Sequence, residues 1–234
     1  MKINIITLYP EYFRSNILFG AIKKALDIKA FSLNIINLRD FAYDKRGSVD
    51  DSPYGGGAGM ILRADVLYKA LESTKKTSSP DSYSVMLSAS GEKYTQSVAE
   101  FLANLKEITI ICSRYEGFDE RIVNYTNIEL SIGDFVLSGG EPAALVIIDS
   151  ISRLLPNVLG NNESLKEESF GPRSFLEGVE RGRSLLEHPQ YTRPEEFNGF
   201  SVPKVLLSGN HEKIKEWRRK KSIEKTHKNR PDLI

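Results

Sequence analysis

One cysteine, three histidines and one tryptophan are all that this 234-residue chain holds of those residue types. A single thiol, Cys112, closes no intrachain disulfide, and its place at the end of the apolar run from Ile108 marks it as a small core residue of a buried strand. His188, His211 and His227 lie far apart, none with a second ligand at metal spacing, which argues against a zinc site. Long apolar runs are missing too. None approaches the roughly 20 residues of a membrane span, and Asp149 and Arg153 break the best candidate. The first ten residues lack the apolar stretch of a signal peptide, so a cytoplasmic location and no membrane partner are expected. Two nucleotide-binding fingerprints are absent: Gly55-Gly-Gly-Ala-Gly59 does not satisfy G-x-G-x-x-G, and there is no Walker A loop.

Net charge is also small, +1 over the whole chain, but it is unevenly placed. From Ser201 onward there are ten Lys/Arg and four Asp/Glu, a net of +6 that leaves −5 on the rest. A basic tail beside an acidic body suggests a polyanionic partner for the tail.

What the chain does have is glycine, concentrated in loops. Ile132-Gly-Asp-Phe-Val-Leu-Ser-Gly-Gly-Glu-Pro-Ala-Ala144 joins a strand-like run to a helix-like one, with glycines bracketing Phe135, Val136 and Leu137. A loop both backbone-rich and apolar suits a flat base and a sugar. It suits free phosphate poorly, since it holds no Lys or Arg. Pro53-Tyr-Gly-Gly-Gly-Ala-Gly-Met60 is a second glycine-dense turn, and Cys112-Ser-Arg-Tyr-Glu-Gly-Phe-Asp-Glu-Arg121 is a loop crowded with polar groups.

Around these loops, β-branched runs alternate with helical periodicity. Strands are expected at Lys2–Leu8, Phe31–Asn37, Ser84–Leu87, Ile108–Cys112 and Ile128–Ile132, and helices at Tyr12–Leu26, Ala64–Thr74, Tyr94–Leu105 and Pro142–Leu155. That alternation predicts an α/β domain with a mainly parallel sheet over residues 1–160, whose ligands gather beyond the carboxyl ends of the strands. A polar segment, 161–173, reads as a flexible linker. Residues 174–234, rich in charge, are expected to form a smaller, mostly helical domain.

These loops, with Leu206-Leu-Ser-Gly-Asn-His211, Trp217-Arg218 and Arg230-Pro-Asp-Leu233, resemble the bacterial tRNA (guanine-N(1))-methyltransferase family, in the knotted SPOUT class of S-adenosylmethionine enzymes. The resemblance covers nearly the whole chain. It implies a deep trefoil knot, which sequence rules alone would never suggest. It also implies a homodimer with active sites at the subunit interface, tRNA as substrate, and methylation of the guanosine 3′-adjacent to the anticodon. For the cofactor, S-adenosyl-L-methionine, it implies three loops: Leu87, Ser88 and Gly91; Ser113, Tyr115 and Gly117; and Ile132, Gly133, Asp134, Phe135, Val136, Leu137, Gly139, Gly140 and Pro142. Mg²⁺ is compatible with the family, although no dedicated ligand cluster is visible.

Methylating guanine N(1) requires loss of its proton, so a carboxylate base and a cation near the carbonyl oxygen are expected. By resemblance the base falls on Glu168, within Lys166-Glu-Glu-Ser-Phe170, where the family carries aspartate; Glu167 is the neighbouring alternative. Arg153 matches the family's active-site arginine, and Glu116 is placed against the target guanine. Asp50, Tyr54, Gly55 and Gly59 would floor the guanine pocket. Arg114, Lys213, Arg218 and Arg219 would contact the RNA. Other departures are Ala89-Ser90 for Pro-Gln, Ser113 for Gly, Phe135 for Tyr, and Pro142 one position early. Taken as bare residue types, Arg114, Glu116, Asp119 and Arg121 equally suit a structural ion-pair network. A tRNA-binding protein of this fold with lapsed chemistry is the competing expectation.

Overall fold

Five short runs dominated by Ile, Val and Leu build a single parallel sheet in the computed structural model, which describes residues 1–75, 82–160, 168–171 and 184–234. The strands are β1 (Lys2–Thr7), β2 (Ser32–Asn37), β5 (Ser82–Lys93), β6 (Glu107–Cys112) and β7 (Ile128–Ser131), in the order β2-β1-β6-β5-β7. All four pairings are parallel. A parallel sheet must be covered on both faces, and the period-2 alternation of strand side chains shows how this is met. Ile3, Ile5, Val85, Leu87, Ile108 and Ile110 point to one core, while Ile6, Met86 and Ile111 point to the other.

The first core is closed by α1 (Glu11–Asn16), α2 (Gly20–Asp27), α4 (Gln96–Ala103) and α5 (Glu141–Leu154), through residues such as Phe13, Ile22, Leu102 and Ile147. The second is closed by α3 (Ala64–Lys75), whose Val66, Leu67, Ala70 and Leu71 form a helical stripe. Two 3-10 turns, Leu38–Phe41 and Glu120–Tyr125, add Leu38 and Ile122 to it. A hairpin of two-residue strands, β3 (Asp50–Asp51) and β4 (Ile61–Leu62), carries the glycine-dense turn between them.

Two expectations need correction. The helix expected over Tyr12–Leu26 is two helices, because the chain turns at residues 17–19 and Gly20 takes a φ of +63°. Strand β5 runs well past Leu87, and the register slips there: Leu87 and Glu92 both stand opposite Leu130. Between them residues 88–91 bulge out of the sheet.

The contacts divide the chain into Met1–Gly160 and Asn161–Ile234. The second unit has the expected helical region, preceded among the described residues by residues 184–195, which have no regular element, and by a hairpin in which β8 (Glu196–Phe197) pairs antiparallel with β9 (Phe200–Ser201). Asn198 and Gly199 turn this hairpin at φ +49° and +80°, the positive-φ pair that Asn-Gly favours. Two helices follow, α6 (Lys204–Leu207) and α7 (His211–Asn229). The Asn210 side chain caps α7 by accepting from the Lys213 amide at 3.1 Å. No helix among the described residues is long and apolar enough to cross a membrane.

Candidate active site

The bulge of β5 and the carboxyl ends of β6 and β7 open onto one cleft of about 350 Å³. Each wall is a loop whose shape is fixed by short-range bonds. In the β5 bulge, the Ser90 hydroxyl donates to Glu129 Oε1 at 2.8 Å, and the Ser88 and Ser90 hydroxyls are 2.8 Å apart. After β6, the Gly117 amide donates to the Arg114 carbonyl at 3.0 Å, forming a tight turn with Tyr115 at φ +59°. After β7, the Ser131 hydroxyl both donates to the Gly133 carbonyl (3.1 Å) and accepts from its amide (3.3 Å). Gly133 sits at φ +150°, a conformation L side chains rarely adopt, and the Phe135 ring folds over it.

The walls are then latched together. The Gly140 amide donates to the Ser113 carbonyl at 2.9 Å. A Cβ on Gly140 would lie 2.8 Å from Cys112 Cα, so only glycine fits between these chains. Burial, and next the Glu141 carboxylate, pushes the Cys112 thiol well above its ordinary range, which keeps it protonated and inert.

Most of the residues expected at the cofactor do line the cleft: Leu87, Ser88, Ser113, Tyr115, Gly117, Ile132, Gly133, Phe135, Val136, Leu137, Gly139 and Gly140. Gly91, Asp134 and Pro142 do not. Gly91 is packed against the β7 backbone, Asp134 points to solvent, and Pro142 occupies the first turn of α5. Ala89 and Ser90 of the first expected loop line it too, as do Leu130, Ser131, Phe118 and Ala143, which sequence reading missed. The lip is apolar yet open, with Val136 87% and Phe135 54% exposed.

Arg114 and Glu116 join the same cleft. Arg114 is not part of a network with Asp119 and Arg121, however. Its Nη2 lies 2.9 Å from Oε2 of the fully buried Glu141, and its guanidinium stacks 4.3 Å from the Tyr9 ring centre. Arg121 pairs instead with Asp119 at 2.6 Å, and that hydrogen-bonded partner holds the Asp119 carboxyl below the usual range. Glu116 rests on Gly59: a Cβ there would fall 2.4 Å from Glu116 Cγ. The Glu116 amide also donates to the Met60 carbonyl at 3.1 Å, which zips the returning limb of the glycine turn to this loop.

The rest of the expected guanine floor lies elsewhere. Tyr54 is 99% exposed and, with Arg121 and Tyr68, borders a separate depression of about 620 Å³. Asp50 and Gly55 are on the hairpin and its turn, outside the lining of the first cleft. Arg153 is half-buried in the last turn of α5 and likewise does not line it. Among the described residues, no three His, Cys, Asp or Glu side chains gather to hold a metal ion.

In the second unit, Glu168 is half-buried, and its carbonyl accepts from the Gly171 amide at 3.0 Å. Glu167 lies outside the described residues. On α7, Ile214, Trp217, Ser222 and Thr226 turn inward. The Thr226 hydroxyl accepts from the Leu186 amide at 2.9 Å and so ties the helix to residues 184–195. Lys213, Arg218 and Arg219 face solvent, leaving a basic outer surface.

Comparison with known proteins gives the same description. The family profile described as tRNA (Guanine-1)-methyltransferase TrmD matches residues 1–234. A tRNA (guanine-N(1)-)-methyltransferase of Wolbachia pipientis wMel is 46% identical over 234 residues, covering 100% of this chain and 95% of that protein. A protein of the same description from Dehalococcoides mccartyi is 47% identical over 100% of this chain and 90% of its own length. One from Bacillus pumilus is 47% identical over 100% and 92%. With identity of this extent over its whole length, the chain belongs to the tRNA (guanine-1)-methyltransferase family.

Proposed function

We propose that this tRNA (guanine-N(1))-methyltransferase takes its methyl group from S-adenosylmethionine and places it on the guanosine just 3′ of the anticodon, working in the cytoplasm. The composition of the cleft carries the assignment of the donor. Its walls are three loops, two of which contribute glycines (Gly117, Gly133, Gly139 and Gly140), with an apolar lip, and the arginine within it is already paired with Glu141. Such a site fits an uncharged base and a ribose, which backbone groups and apolar side chains can hold, and offers little to a phosphate. Ile132, Val136 and Leu137 would cover the adenine, and the backbone around Leu87, Ser113 and Gly133 would take the polar edges. When bound, S-adenosylmethionine supplies a sulfonium methyl, which demands an aligned nucleophile.

The nucleophile is N(1) of guanine, whose lone pair is free only once its proton has left. Glu168 is proposed as the acceptor of that proton, with Arg153 stabilising charge on the guanine carbonyl oxygen. Glu116, on the cleft wall and backed by Gly59, would hold the other edge of the base. Family membership supports a homodimer in which Glu168 of one copy serves the cleft of another. It also supports a trefoil knot in the first unit, consistent with the tight seat of Gly140 on Cys112 and Ser113. The outward basic face of α7 suits the tRNA backbone.

The test is transfer of labelled methyl to tRNA transcripts with and without the target guanosine. Incorporation only where that guanosine is present supports the proposal. Incorporation into both transcripts assigns another target, and tRNA retention with no incorporation marks a binding protein without chemistry.

A further inference from the structure

We infer that Glu141 is a positioning residue for the donor cleft, acting through Arg114 as a strut that sets where the 133–140 loop stands. The inference rests on the proposed donor site and goes beyond it, because neither side chain is asked to touch the donor or the RNA. Glu141 opens α5 and is fully buried. Its Oε1 accepts from the Thr7 hydroxyl at 2.7 Å, and that hydroxyl in turn accepts from the Tyr9 amide at 2.9 Å. Its Oε2 faces Arg114 Nη2 at 2.9 Å. The other arm of Arg114, Nη1, donates to the Ser138 carbonyl at 3.0 Å. The guanidinium is sandwiched between the Tyr9 ring and Gly139, where a Cβ would come within 2.3 Å of Nε.

The chain of contacts therefore joins three strand ends: Thr7 closing β1 with Tyr9 just beyond it, Arg114 after β6, and Ser138 in the loop after β7. Burying a carboxylate is costly, and an apolar pair of similar size would hold the fold as well or better. The guanidinium does what an apolar pair cannot: one nitrogen donates to a loop carbonyl while the other sets its charge against the carboxylate that opens α5. Bonds at its two ends, from Ser131 to Gly133 and from Gly140 to Ser113, leave the crest at Phe135 and Val136 exposed, and Arg114 holds the limb that returns from it. Arg114, expected from the sequence to contact RNA, has both terminal nitrogens turned inward.

Glu141→Gln, Arg114→Lys and the double change Arg114→Met/Glu141→Gln separate positioning from stability. Calorimetric affinity for S-adenosylhomocysteine, melting temperature and tRNA affinity would be measured on each full-length protein. Each single change is expected to weaken nucleoside binding by roughly tenfold to a hundredfold, the scale of a small misplacement in a binding site, with tRNA affinity little altered. The double variant, free of any unpaired buried charge, is expected to regain melting temperature without regaining nucleoside affinity. Affinity that returns together with melting temperature overturns the inference, as does Arg114→Lys losing tRNA binding alone. Failure of the wild-type chain to bind S-adenosylhomocysteine removes the donor site itself, and the strut with it.

Discussion

Gly91 presses against the neighbouring strand so closely that a Cβ on it would stand 2.6 Å from the backbone nitrogen of Leu130. This contact lets β5 rejoin β7 after residues 88–91 have swung out, and so shapes one wall of the cleft without lining it. Gly91→Ala must push two strands apart. Overpacking of this kind costs about 1–3 kcal/mol. Urea denaturation should show a loss in that range, and calorimetry a weaker S-adenosylmethionine site. A variant with unchanged stability would mean the bulge yields freely.

Gly59→Ala should act on the other substrate. The new methyl group would meet the Glu116 side chain, which is proposed to hold the guanine from the cleft wall, and at φ +85° it would also strain the turn. Donor affinity is expected to hold while kcat/KM for tRNA falls. Equal losses in both would place Glu116 at the donor instead.

Replacing the proposed base by its amide, Glu168→Gln, removes proton acceptance with little change in size. Turnover should fall by roughly two to four orders of magnitude while S-adenosylmethionine still binds. Mixing Arg153→Ala chains with Glu168→Gln chains should restore part of the activity if each site draws on two copies. No recovery from the mixture would place both groups in one subunit.

The phenol of Tyr94 offers a pH test of packing between β5 and α5. Burial pushes its pKa up to about 12, opposed by the hydrogen bond it shares with Ser150 at 2.6 Å. An unfolded tyrosine ionises near about 10. The stability this group contributes is therefore complete below about pH 10 and is lost as pH rises towards about 12, where only the unfolded chain has released its proton. Tyr94→Phe should lower stability at neutral pH by about 0.5–1.5 kcal/mol. The gap between wild type and variant should change across the alkaline window, as read from urea midpoints.

Binding of tRNA should depend steeply on salt. If about five phosphates are neutralised, log affinity falls with log salt with a slope of roughly −4. Arg218→Ala with Arg219→Ala should make that slope shallower. Ile214 and Trp217, on the inward side of α7, would instead affect folding.

The strands of the sheet, apart from the far end of β5, and the helices α3, α4 and α5 were legible within a few residues, because each buried run has the period of its element. The break before Gly20 was not, since Ile17, Leu18 and Phe19 continue an apolar pattern that suits a helix. The Asn198-Gly199 hairpin was visible in principle, but the surrounding charge suggested helix. Twelve positions in the loops that the family resemblance implied line the cleft, and it was that resemblance, beyond glycine content alone, that singled them out. Phe118 and Ala143 gave no such signal; they reach the cleft because the loop after β6 and the start of α5 converge on it.

By itself, the sequence determined the α/β layering, the three loops and the basic terminal helix, since periodicity, glycine content and charge are local quantities. Only the tertiary structure decided which charges pair. Asp119 and Arg121, two residues apart, found each other, whereas Arg114 passed over nearby Glu116 for Glu141, and Glu141 in turn reached back to Thr7. The physical reason is burial. A carboxylate shut away from water must be met by whatever donors the converging strands bring, however distant they are along the chain.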